Sequence, residues 1–186
     1  FRKNVIALRK EKDMNFIKHN SDIITDKLLQ LDCIKNSQTI MLYLDFNNEV
    51  CTDNLIKKLI SMGKTVASPI TLKAERKLIP SQITDLENGI QFGAYNIREP
   101  KPECSPTIDI KDLDVVIVPA VAYDKNCYRL GYGGGFYDRF LSKYPNSKRV
   151  ALCYDFQVFD EIPHEFFDEK VDLIISEEKI ISLKKS

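Results

Sequence analysis

Residues 39–68 have the sequence TIMLYLDFNNEVCTDNLIKKLISMGKTVAS and predict a strand, a helix and a second strand in succession. The apolar, β-prone residues 39–44 predict the first strand, and residues 65–68 predict the second, which ends at a proline. Between them, an apolar stripe at helical spacing predicts a helix over residues 53–62, with Gly63 as its C-cap glycine. A strand–helix–strand connection of this length favours parallel pairing, so we expect an α/β fold.

The rest of the chain continues the alternation of helices and strands. Residues 2–31 contain neither Gly nor Pro and predict one or two N-terminal helices. Residues 115–118 are continuously apolar and β-branched, which is typical of a strand covered on both faces, and they predict the central strand. A helix with one aromatic face begins at Phe136, and residues 149–154 and 171–175 predict two further strands.

Prolines and glycines interrupt every period over residues 71–113, which predicts a flap or a long excursion from the sheet. The length and the remaining pattern predict a single domain over residues 1–186. Its expected architecture is a three-layer α/β sandwich in which helices flank a mostly parallel, Rossmann-like sheet.

The composition argues against several classes of protein. Lys plus Arg and Asp plus Glu number 27 each, so the zero formal charge predicts no nucleic-acid partner and no attraction to anionic membranes. A hydrophobic fraction of 44% argues against disorder. The longest apolar run, which Pro119 interrupts, is about half the length that spans a bilayer. We therefore expect a globular protein without a membrane helix, present as a monomer or a weak homodimer.

The cysteines and histidines restrict the possible chemistry. Five cysteines are scattered without a C-x-x-C pair, which predicts reduced thiols in a cytoplasmic protein rather than disulfides or a zinc site. His19 and His164 are the only histidines, so there is little material for a Ser-His or Cys-His catalytic pair. A metal ion would have to be held by carboxylates. The chain starts at Phe1 without a Met, and we expect further residues upstream.

Four of the seven glycines lie in Gly131-Tyr132-Gly133-Gly134-Gly135, directly before the helix that begins at Phe136. Glycines let the backbone turn tightly and bring N–H groups against a ligand, and the start of the following helix offers unpaired amides. Arg129 precedes the glycines and can bind phosphate oxygens in a bidentate manner, whereas Asp138 can hold a divalent cation. The pattern indicates a nucleoside triphosphate site.

Two other interpretations of the glycine run stay open from the residues alone. A glycine run before a helix is often only a flexible loop. The run is not a Walker A loop, because no Gly-Lys-Ser/Thr follows, but a dinucleotide-binding turn is an alternative, with Asp155 as the acid that binds the ribose. About a dozen residues separate Val118 from the glycines, which is longer than an ordinary Rossmann turn.

Residues 118–124 (VPAVAYD) and 129–141 (RLGYGGGFYDRFL) are similar to two signatures of one known family. They resemble 5-formyltetrahydrofolate cyclo-ligase, also called methenyltetrahydrofolate synthetase. Further agreement extends over most of the chain, at Arg2, Asn48-Glu49-Val50, Arg98-Glu99-Pro100, Phe156-Gln157, Ile162-Pro163, Asp168, Val171 and Asp172. The long glycine motif with its flanking Arg and Tyr-Asp is far more specific than a bare G-x-G-x-x-G.

The resemblance implies an ATP-dependent ligase that converts 5-formyltetrahydrofolate to 5,10-methenyltetrahydrofolate and releases ADP and phosphate, with Mg²⁺ as cofactor. It also implies that the γ-phosphoryl group is transferred to the formyl oxygen before the second folate nitrogen closes the ring, so that phosphate is the leaving group. Phosphoryl transfer depends on in-line positioning and charge neutralisation rather than on a protein nucleophile. The shortage of histidines agrees with this chemistry.

The resemblance further implies a role for individual residues. The implied ATP-binding residues are Arg2, Arg129, Leu130, Gly131, Tyr132, Gly133, Gly134, Gly135, Phe136 and Tyr137. The implied folate-binding residues are Leu44, Glu49, Tyr132, Gly133, Gly134, Gly135 and Phe136. Arg129, Tyr137 and Asp138 are the expected catalytic residues, and Asp138 and Asp168 are the expected metal ligands.

Some positions depart from the pattern of the family. Its Lys, four residues before the Arg that Arg2 matches, would lie upstream of Phe1, and we expect weaker ATP binding without it. Phe167 stands where the family often has His. Cys127 stands where Gly is common, in a turn that we expect to need a positive φ. Cys127 is not an expected nucleophile, because no His lies near it in the sequence.

Three functional hypotheses follow: the cyclo-ligase, a nicotinamide-dependent oxidoreductase that uses the same glycines, and a non-catalytic nucleotide- or folate-binding module. The oxidoreductase requires the glycine loop to follow its strand directly, so the connection over residues 119–131 separates the first two. Substitution of Asp138 or Arg129 separates the first from the third, because it abolishes turnover in an enzyme and leaves folate binding largely intact in a binding module. Tyr123 is either a ring that stacks on a ligand or a core aromatic.

Overall fold

Helices and strands alternate along the chain in the computed structural model, which describes residues 1–184. The α-helices are α1 (Arg2–Lys10), α2 (Met14–Leu29), α3 (Asp32–Lys35), α4 (Asp53–Ser61) and α5 (Phe136–Ser142). The strands are β1 (Thr39–Met41), β2 (Thr65–Leu72), β3 (Lys77–Gln82), β4 (Ile90–Phe92), β5 (Arg98–Pro100), β6 (Val115–Val118), β7 (Ala122–Asp124), β8 (Arg129–Leu130), β9 (Lys148–Leu152), β10 (Val158–Phe159), β11 (Leu173–Ile175) and β12 (Ile180–Ser182).

Seven of the described strands form the main sheet, in the order β12-β11-β9-β6-β1-β2-β3. The inner strands from β11 to β2 are parallel to one another, whereas the edge strands β12 and β3 pair antiparallel. β6 lies in the middle of the sheet and all its residues are buried, as the sequence predicted. The expected α/β architecture with a mostly parallel sheet is therefore confirmed.

Alternate side chains of the central strands pack on opposite faces of the main sheet. On β1, Ile40 packs with apolar residues of α2 and α4, whereas Met41 packs with residues of α5. β6 repeats this alternation, with Ile117 on the first face and Val118 on the second. Each fully buried Ile or Val contributes about 1.5–3 kcal/mol relative to an exposed one. Both faces of the sheet are thus covered, which confirms the three-layer sandwich.

The prediction that Pro69 ends the second strand is wrong. β2 continues past Pro69 to Leu72 because it pairs there with the antiparallel edge strand β3. Pro69 lies directly opposite Pro80 in the β2–β3 register. The two residues that lack an N–H therefore occupy one cross-strand pair, and the neighbouring pairs keep their N–H groups. The parallel pairing of β2 with β1 extends only to Ala67, and Pro69 therefore interrupts no bond of the parallel sheet.

The expected excursion over residues 71–113 divides into two parts. Its first part is β3, which extends the main sheet at the edge. Its second part contains the antiparallel pair of β4 and β5, joined by a segment in which Tyr95 has a left-handed φ of 57°. This second part borders the cleft described below. Within the described residues 1–184, no helix has both the length and the apolar character that crossing a membrane requires.

An antiparallel hairpin of β7 and β8 fills the connection between β6 and the glycine run. The buried carboxylate of Asp124 organises its turn. Oδ1 of Asp124 accepts hydrogen bonds from the backbone N–H groups of Asn126 and Tyr128, at 3.0 and 3.1 Å. Oδ2 accepts one from the backbone N–H of Ile162, at 3.2 Å. The hairpin leads to Arg129 and so fixes the position from which the glycines start.

Candidate functional site

A cleft of about 710 Å³ opens beside the carboxyl ends of β1 and β6. Leu44 follows β1 and Pro119 follows β6, and both residues line the cleft, at the end of the strands where ligands bind in open α/β sheets. Every residue predicted to bind ATP, folate or metal lines this cleft: Arg2, Leu44, Glu49, Arg129, Leu130, Gly131, Tyr132, Gly133, Gly134, Gly135, Phe136, Tyr137, Asp138 and Asp168. The fold thus brings together residues from both ends of the chain.

Arg129 and Asp138 form an ion pair between the end of the hairpin and the first turn of α5. Nη2 of Arg129 lies 3.0 Å from Oδ1 of Asp138, and this oxygen also accepts from the backbone N–H of Glu169 at 3.1 Å. The Arg129 guanidinium lies 5.8 Å from the centroid of the Tyr137 ring. Its buried Nε has no hydrogen-bond partner among the described residues. A buried guanidinium with an unpaired donor beside a cleft is suited to an anionic ligand.

The glycine run adopts backbone conformations that side chains rarely take. Gly133 has a φ of 106°, and Gly135, the N-cap of α5, has a φ of 67°. Gly133 and Gly134 are exposed. Nη2 of Arg139 donates to the carbonyl oxygen of Gly134 at 2.6 Å and holds the run from the side of α5. The cleft is therefore lined here by bare backbone.

Helix α1 places Arg2 against the start of the glycine run. Nε of Arg2 donates to the carbonyl oxygen of Gly131 at 2.7 Å. The next residue, Lys3, is exposed and does not line the cleft. Lys3 is therefore not placed to stand in for the Lys that the family carries before this arginine.

Glu49 is a buried carboxyl group next to the hydroxyl of Tyr132. That hydroxyl donates to Oε1 of Glu49 at 3.2 Å and accepts from Nη2 of Arg9 at 2.7 Å. Burial raises the pKa of Glu49 to about 8, and the charge of Asp45 acts in the same direction, whereas Arg9 and the Tyr132 hydrogen bond lower it. A carboxyl group that titrates near neutrality in a cleft is a candidate for ligand recognition.

Asp138 and Asp168, the predicted metal ligands, are held in different ways. Both described hydrogen bonds to Asp138 go to Oδ1, which leaves Oδ2 for a cation. Oδ2 of Asp168 accepts from the backbone N–H of Glu165 at 2.8 Å. Residues 1–184 contain no group of three or more His, Cys, Asp or Glu side chains that could hold a metal. The donor set fits Mg²⁺ bound by one or two carboxylates together with substrate phosphates.

Three residues considered from the sequence lie outside the cleft. Tyr123 is fully buried and its hydroxyl donates to the carbonyl oxygen of Val118 at 3.2 Å, so it is a core aromatic. Asp155 accepts from Oγ of Ser176 at 2.9 Å. Cys127 has a φ of 66°, which is the positive value expected there, and burial raises its pKa to about 11.

The dinucleotide interpretation does not fit this arrangement. A Rossmann turn joins a strand directly to the helix whose N-terminus binds the pyrophosphate. Here the hairpin of β7 and β8 separates β6 from the glycines, and Asp155, the expected ribose-binding acid, does not line the cleft. The nicotinamide-dependent hypothesis therefore loses the geometry on which it depended.

Sequence reasoning did not identify Arg9 or the β4–β5 part of the cleft. Arg9 is only 1% exposed although it is charged, and its spacing of two helical turns from Arg2 was the available signal. In the β4–β5 part, the residues Tyr95, Arg98 and Glu99 line the cleft. The agreement of Arg98-Glu99-Pro100 with the family pattern was the signal in that case.

Comparison with known proteins points to one family. The model of the 5-formyltetrahydrofolate cyclo-ligase family matches residues 1–177. A 5-formyltetrahydrofolate cyclo-ligase of Haemophilus influenzae is 31% identical over 147 residues, which cover 78% of this chain and 79% of that protein. The Saccharomyces cerevisiae protein of the same name is 32% identical over 186 residues and 88% of this chain, and the match covers 87% of its own length.

Solved structures agree with the sequence comparison. The 5,10-methenyltetrahydrofolate synthetase of Aquifex aeolicus superposes with a TM-score of 0.87 at 27% identity, over 100% of this chain and 92% of that one. The synthetase of Mycoplasma pneumoniae, at 23% identity, shares the fold with a TM-score of 0.77. Because the family model covers nearly the whole chain and the relatives match over most of their own length, the chain belongs to the 5-formyltetrahydrofolate cyclo-ligase family, a family of ligases.

Proposed function

We propose that this chain converts 5-formyltetrahydrofolate and ATP to 5,10-methenyltetrahydrofolate, ADP and phosphate, with Mg²⁺ as cofactor. Membership of the family supports the cyclo-ligase activity. The observation that carries the ATP and Mg²⁺ part is the content of one cleft, where the Arg129–Asp138 pair, the bare glycine backbone and the buried Glu49 meet.

Tyr132 is the point where the two halves of the cleft join. Its backbone belongs to the glycine run, and its hydroxyl donates to Glu49 at 3.2 Å. ATP phosphates on the glycine backbone and a folate ring at Glu49 would therefore be neighbours. Direct transfer of a phosphoryl group between two substrates requires this adjacency.

The proposed reaction has two steps. In the first, the formyl oxygen of the folate attacks the γ-phosphorus of ATP, an oxygen–phosphorus bond forms, and the bond to the β-phosphate oxygen breaks to release ADP. In the second, the other folate nitrogen attacks the formyl carbon and loses its proton, and phosphate leaves with the former formyl oxygen. No residue of the protein is bonded covalently to substrate in either step.

The protein's part in the first step is to position the phosphates and neutralise their charge. Arg129 provides the buried cation, with its unpaired Nε, and the backbone N–H groups of the glycine run provide further donors. Asp138 orients Arg129 through the 3.0 Å contact. Mg²⁺ held by Asp138 and Asp168 would supply charge neutralisation at the phosphate oxygens when bound.

The folate side of the proposed site combines one polar anchor with apolar walls. Glu49 is 5% exposed and can accept hydrogen bonds from the N–H donors at the polar edge of the pterin. The rings of Phe46 and Tyr132 lie 5.5 Å apart at their centroids and both line the cleft, together with Leu44. The two rings contact each other and form one apolar wall, against which a flat heterocycle can pack.

The proposal is tested by mixing the protein with 5-formyltetrahydrofolate, ATP and Mg²⁺ and following the near-ultraviolet absorption of the methenyl product. We expect the absorption to appear only when all three are present, and ADP and phosphate to form in equal amounts. A second sample, extended at its N-terminus so that it includes the family's Lys, is assayed in parallel. It shows whether weak ATP binding limits the rate of the first sample. Binding of both substrates without any product from either sample would instead indicate a non-catalytic binding module.

The phosphorylation step has a test of its own. Substrate labelled with ¹⁸O in the formyl group should release phosphate that carries the label, because the formyl oxygen leaves with the phosphorus. Label released into water, with unlabelled phosphate, would contradict transfer to the formyl oxygen while leaving the overall conversion intact.

A further inference from the structure

Helix α1 contacts the glycine run through two arginines that lie two helical turns apart, on one face of the helix. Arg2 bonds to the carbonyl oxygen of Gly131, as described above, and Nη2 of Arg9 donates to the hydroxyl of Tyr132 at 2.7 Å. Arg2 lines the cleft, but Arg9 does not. Arg9 is 1% exposed, and a guanidinium is rarely buried to this degree unless its partners are fixed.

The guanidinium of Arg9 has a second partner in the turn that carries Glu49. Its Nε donates to the carbonyl oxygen of Asn47 at 2.9 Å. In return, Nδ2 of Asn48 donates to the carbonyl oxygen of Arg9 at 3.2 Å. Asn47 and Asn48 have left-handed φ values of 48° and 60°. Residue types other than Gly, Asn and Asp are strained in this conformation. Contacts in both directions thus fasten the turn to α1.

Among the hydrogen bonds of residues 1–184, Tyr132 links Arg9 to the Glu49 side chain. The Tyr132 hydroxyl accepts from Arg9 and donates to Oε1 of Glu49 at 3.2 Å, so the three side chains form one chain of hydrogen bonds from cation to carboxylate. With its proton donated to Glu49 and a lone pair engaged by Arg9, the hydroxyl has a single orientation. Glu49 therefore takes its position from α1 and from the glycine run together.

We infer that Arg9 is a positioning residue for the folate site: it fixes the Tyr132 hydroxyl and the 45–49 turn so that the Glu49 carboxylate faces the pterin edge. The inference rests on the proposed function in assigning Glu49 to the folate. It adds that the folate anchor is assembled by the same helix that contacts the nucleotide loop. Loss of Arg9 should therefore weaken folate binding although Arg9 touches no substrate.

The charges around Glu49 make the inference measurable. Arg9 faces it from α1, Tyr132 from the glycine run and Asp45 from its own turn, and the hydroxyl groups of Tyr43, Tyr123 and Tyr137 are close enough to interact with its charge. Burial holds the pKa of Glu49 at about 8, and Arg9 is the largest influence that lowers it. Without Arg9 the pKa of Glu49 rises further, and the carboxylate forms only at higher pH.

The test measures the dissociation constant of 5-formyltetrahydrofolate without ATP, from pH 6 to pH 9.5, for the original chain and for Arg9→Gln. We expect affinity to rise with pH through about 8 in the original chain, because ionised Glu49 accepts the pterin N–H donors. In Arg9→Gln we expect affinity to fall about tenfold at neutral pH and the midpoint to move to higher pH. Lys10→Gln, which removes a charge from an exposed position of the same helix, should change neither value.

Two further variants separate positioning from general support of the fold. Arg9→Lys keeps the charge but cannot bond to Asn47 and Tyr132 at the same time, so we expect it to keep the pH midpoint and to recover only part of the affinity. Tyr132→Phe removes the bridging hydroxyl without a change in charge or ring. It should weaken binding as Arg9→Gln does, and adding Arg9→Gln to it should cost much less than Arg9→Gln alone. If Arg9→Gln fails to fold, the single variants Arg9→Lys and Tyr132→Phe carry the test.

An unchanged pH midpoint and affinity in folded Arg9→Gln, or full additivity with Tyr132→Phe, would overturn the inference. Failure of the proposed function looks different: the original chain then binds folate with the expected pH profile but forms no methenyl product. If the original chain does not bind 5-formyltetrahydrofolate at all, both the assignment of Glu49 and the inference drawn from it are wrong.

Discussion

The guanidinium of Arg129 and the carboxylate of Asp138 lie 3.0 Å apart and close the glycine run at its base. Arg129 lies in β8, the second strand of the hairpin before the glycines, and Asp138 belongs to the first turn of the helix after them. The run is therefore a loop whose two ends are tied together by charge. Under the proposed function, the ATP phosphates would meet the cation of this pair and the bare backbone at the same place.

We expect Asp138→Asn to lower ATP-dependent turnover by about 100-fold or more, because the neutral amide loses both its hold on Arg129 and its affinity for a cation. The amide oxygen can still accept from the backbone N–H of Glu169, so the fold should survive. The measurement is the initial rate of methenyl formation, with the melting temperature as a check. Asp112→Asn, at an exposed position outside the cleft, is the matched control. Full turnover in Asp138→Asn would exclude Asp138 from the catalytic residues.

We expect the stability of the chain to fall with rising pH because of Glu49. Its pKa is raised from 4.5 to about 8 in the folded protein, so between these values the folded state binds the proton more tightly than the unfolded state. The stability that this proton provides is complete below about 4.5 and is lost as the pH rises through about 8.

Glu49→Gln removes this titration. The melting temperature of the original chain should therefore fall relative to Glu49→Gln between pH 5 and pH 8.5, by about 5 °C or more. Glu75→Gln, at an exposed position, should track the original chain at every pH. A constant difference between the original chain and Glu49→Gln across this range would show that the pKa of Glu49 is not raised.

We expect Gly133→Ala to damage the nucleotide half of the site. An added Cβ would have space, since its nearest neighbour is Nη1 of Arg2 at 4.0 Å, but the φ of 106° lies outside the range open to alanine. The loop must therefore change its backbone, and we expect the KM for ATP to rise about tenfold with a stability loss of about 1–2 kcal/mol.

Gly63→Ala provides the control for this backbone strain. Gly63 follows Met62, the C-cap of α4, with a φ of 81°, and an added Cβ would meet nothing within 4 Å. It should lose a similar amount of stability, by thermal or urea unfolding, without any change in the KM for ATP. Equal kinetic effects of the two substitutions would mean that the glycine run has no direct contact with the nucleotide.

We expect Cys127→Ser to retain turnover within about twofold, because a thiol with a raised pKa is a poor nucleophile at neutral pH. Burial is the main cause of the rise to about 11, and the charge of Asp124 adds to it. In the folded protein, iodoacetamide should label the exposed Cys104 and spare Cys127, as mass spectrometry of peptides can show. Inactivation that parallels labelling of Cys127 would contradict this expectation.

The α/β class, the parallel sheet and the glycine run could be predicted because each depends on short stretches of sequence. The apolar residues 115–118 have to be covered on both faces wherever they lie, and the periodicity of residues 53–62 is complete within one helix. The positive φ at Cys127 could be predicted because the family commonly has Gly at this position. β3 and the extension of β2 past Pro69 could not be predicted, since a proline ends or continues a strand according to the partner opposite it.

Local pattern in the sequence thus determined the α/β class, the central strands and the position of the glycine run. Only the tertiary structure decided how the residues of the cleft are held and charged. Arg9 and Tyr132 are 123 positions apart in the chain, and no periodicity links them. The raised pKa of Glu49 belongs to its packed surroundings, because desolvation depends on the atoms that displace water and not on the neighbouring residues in sequence.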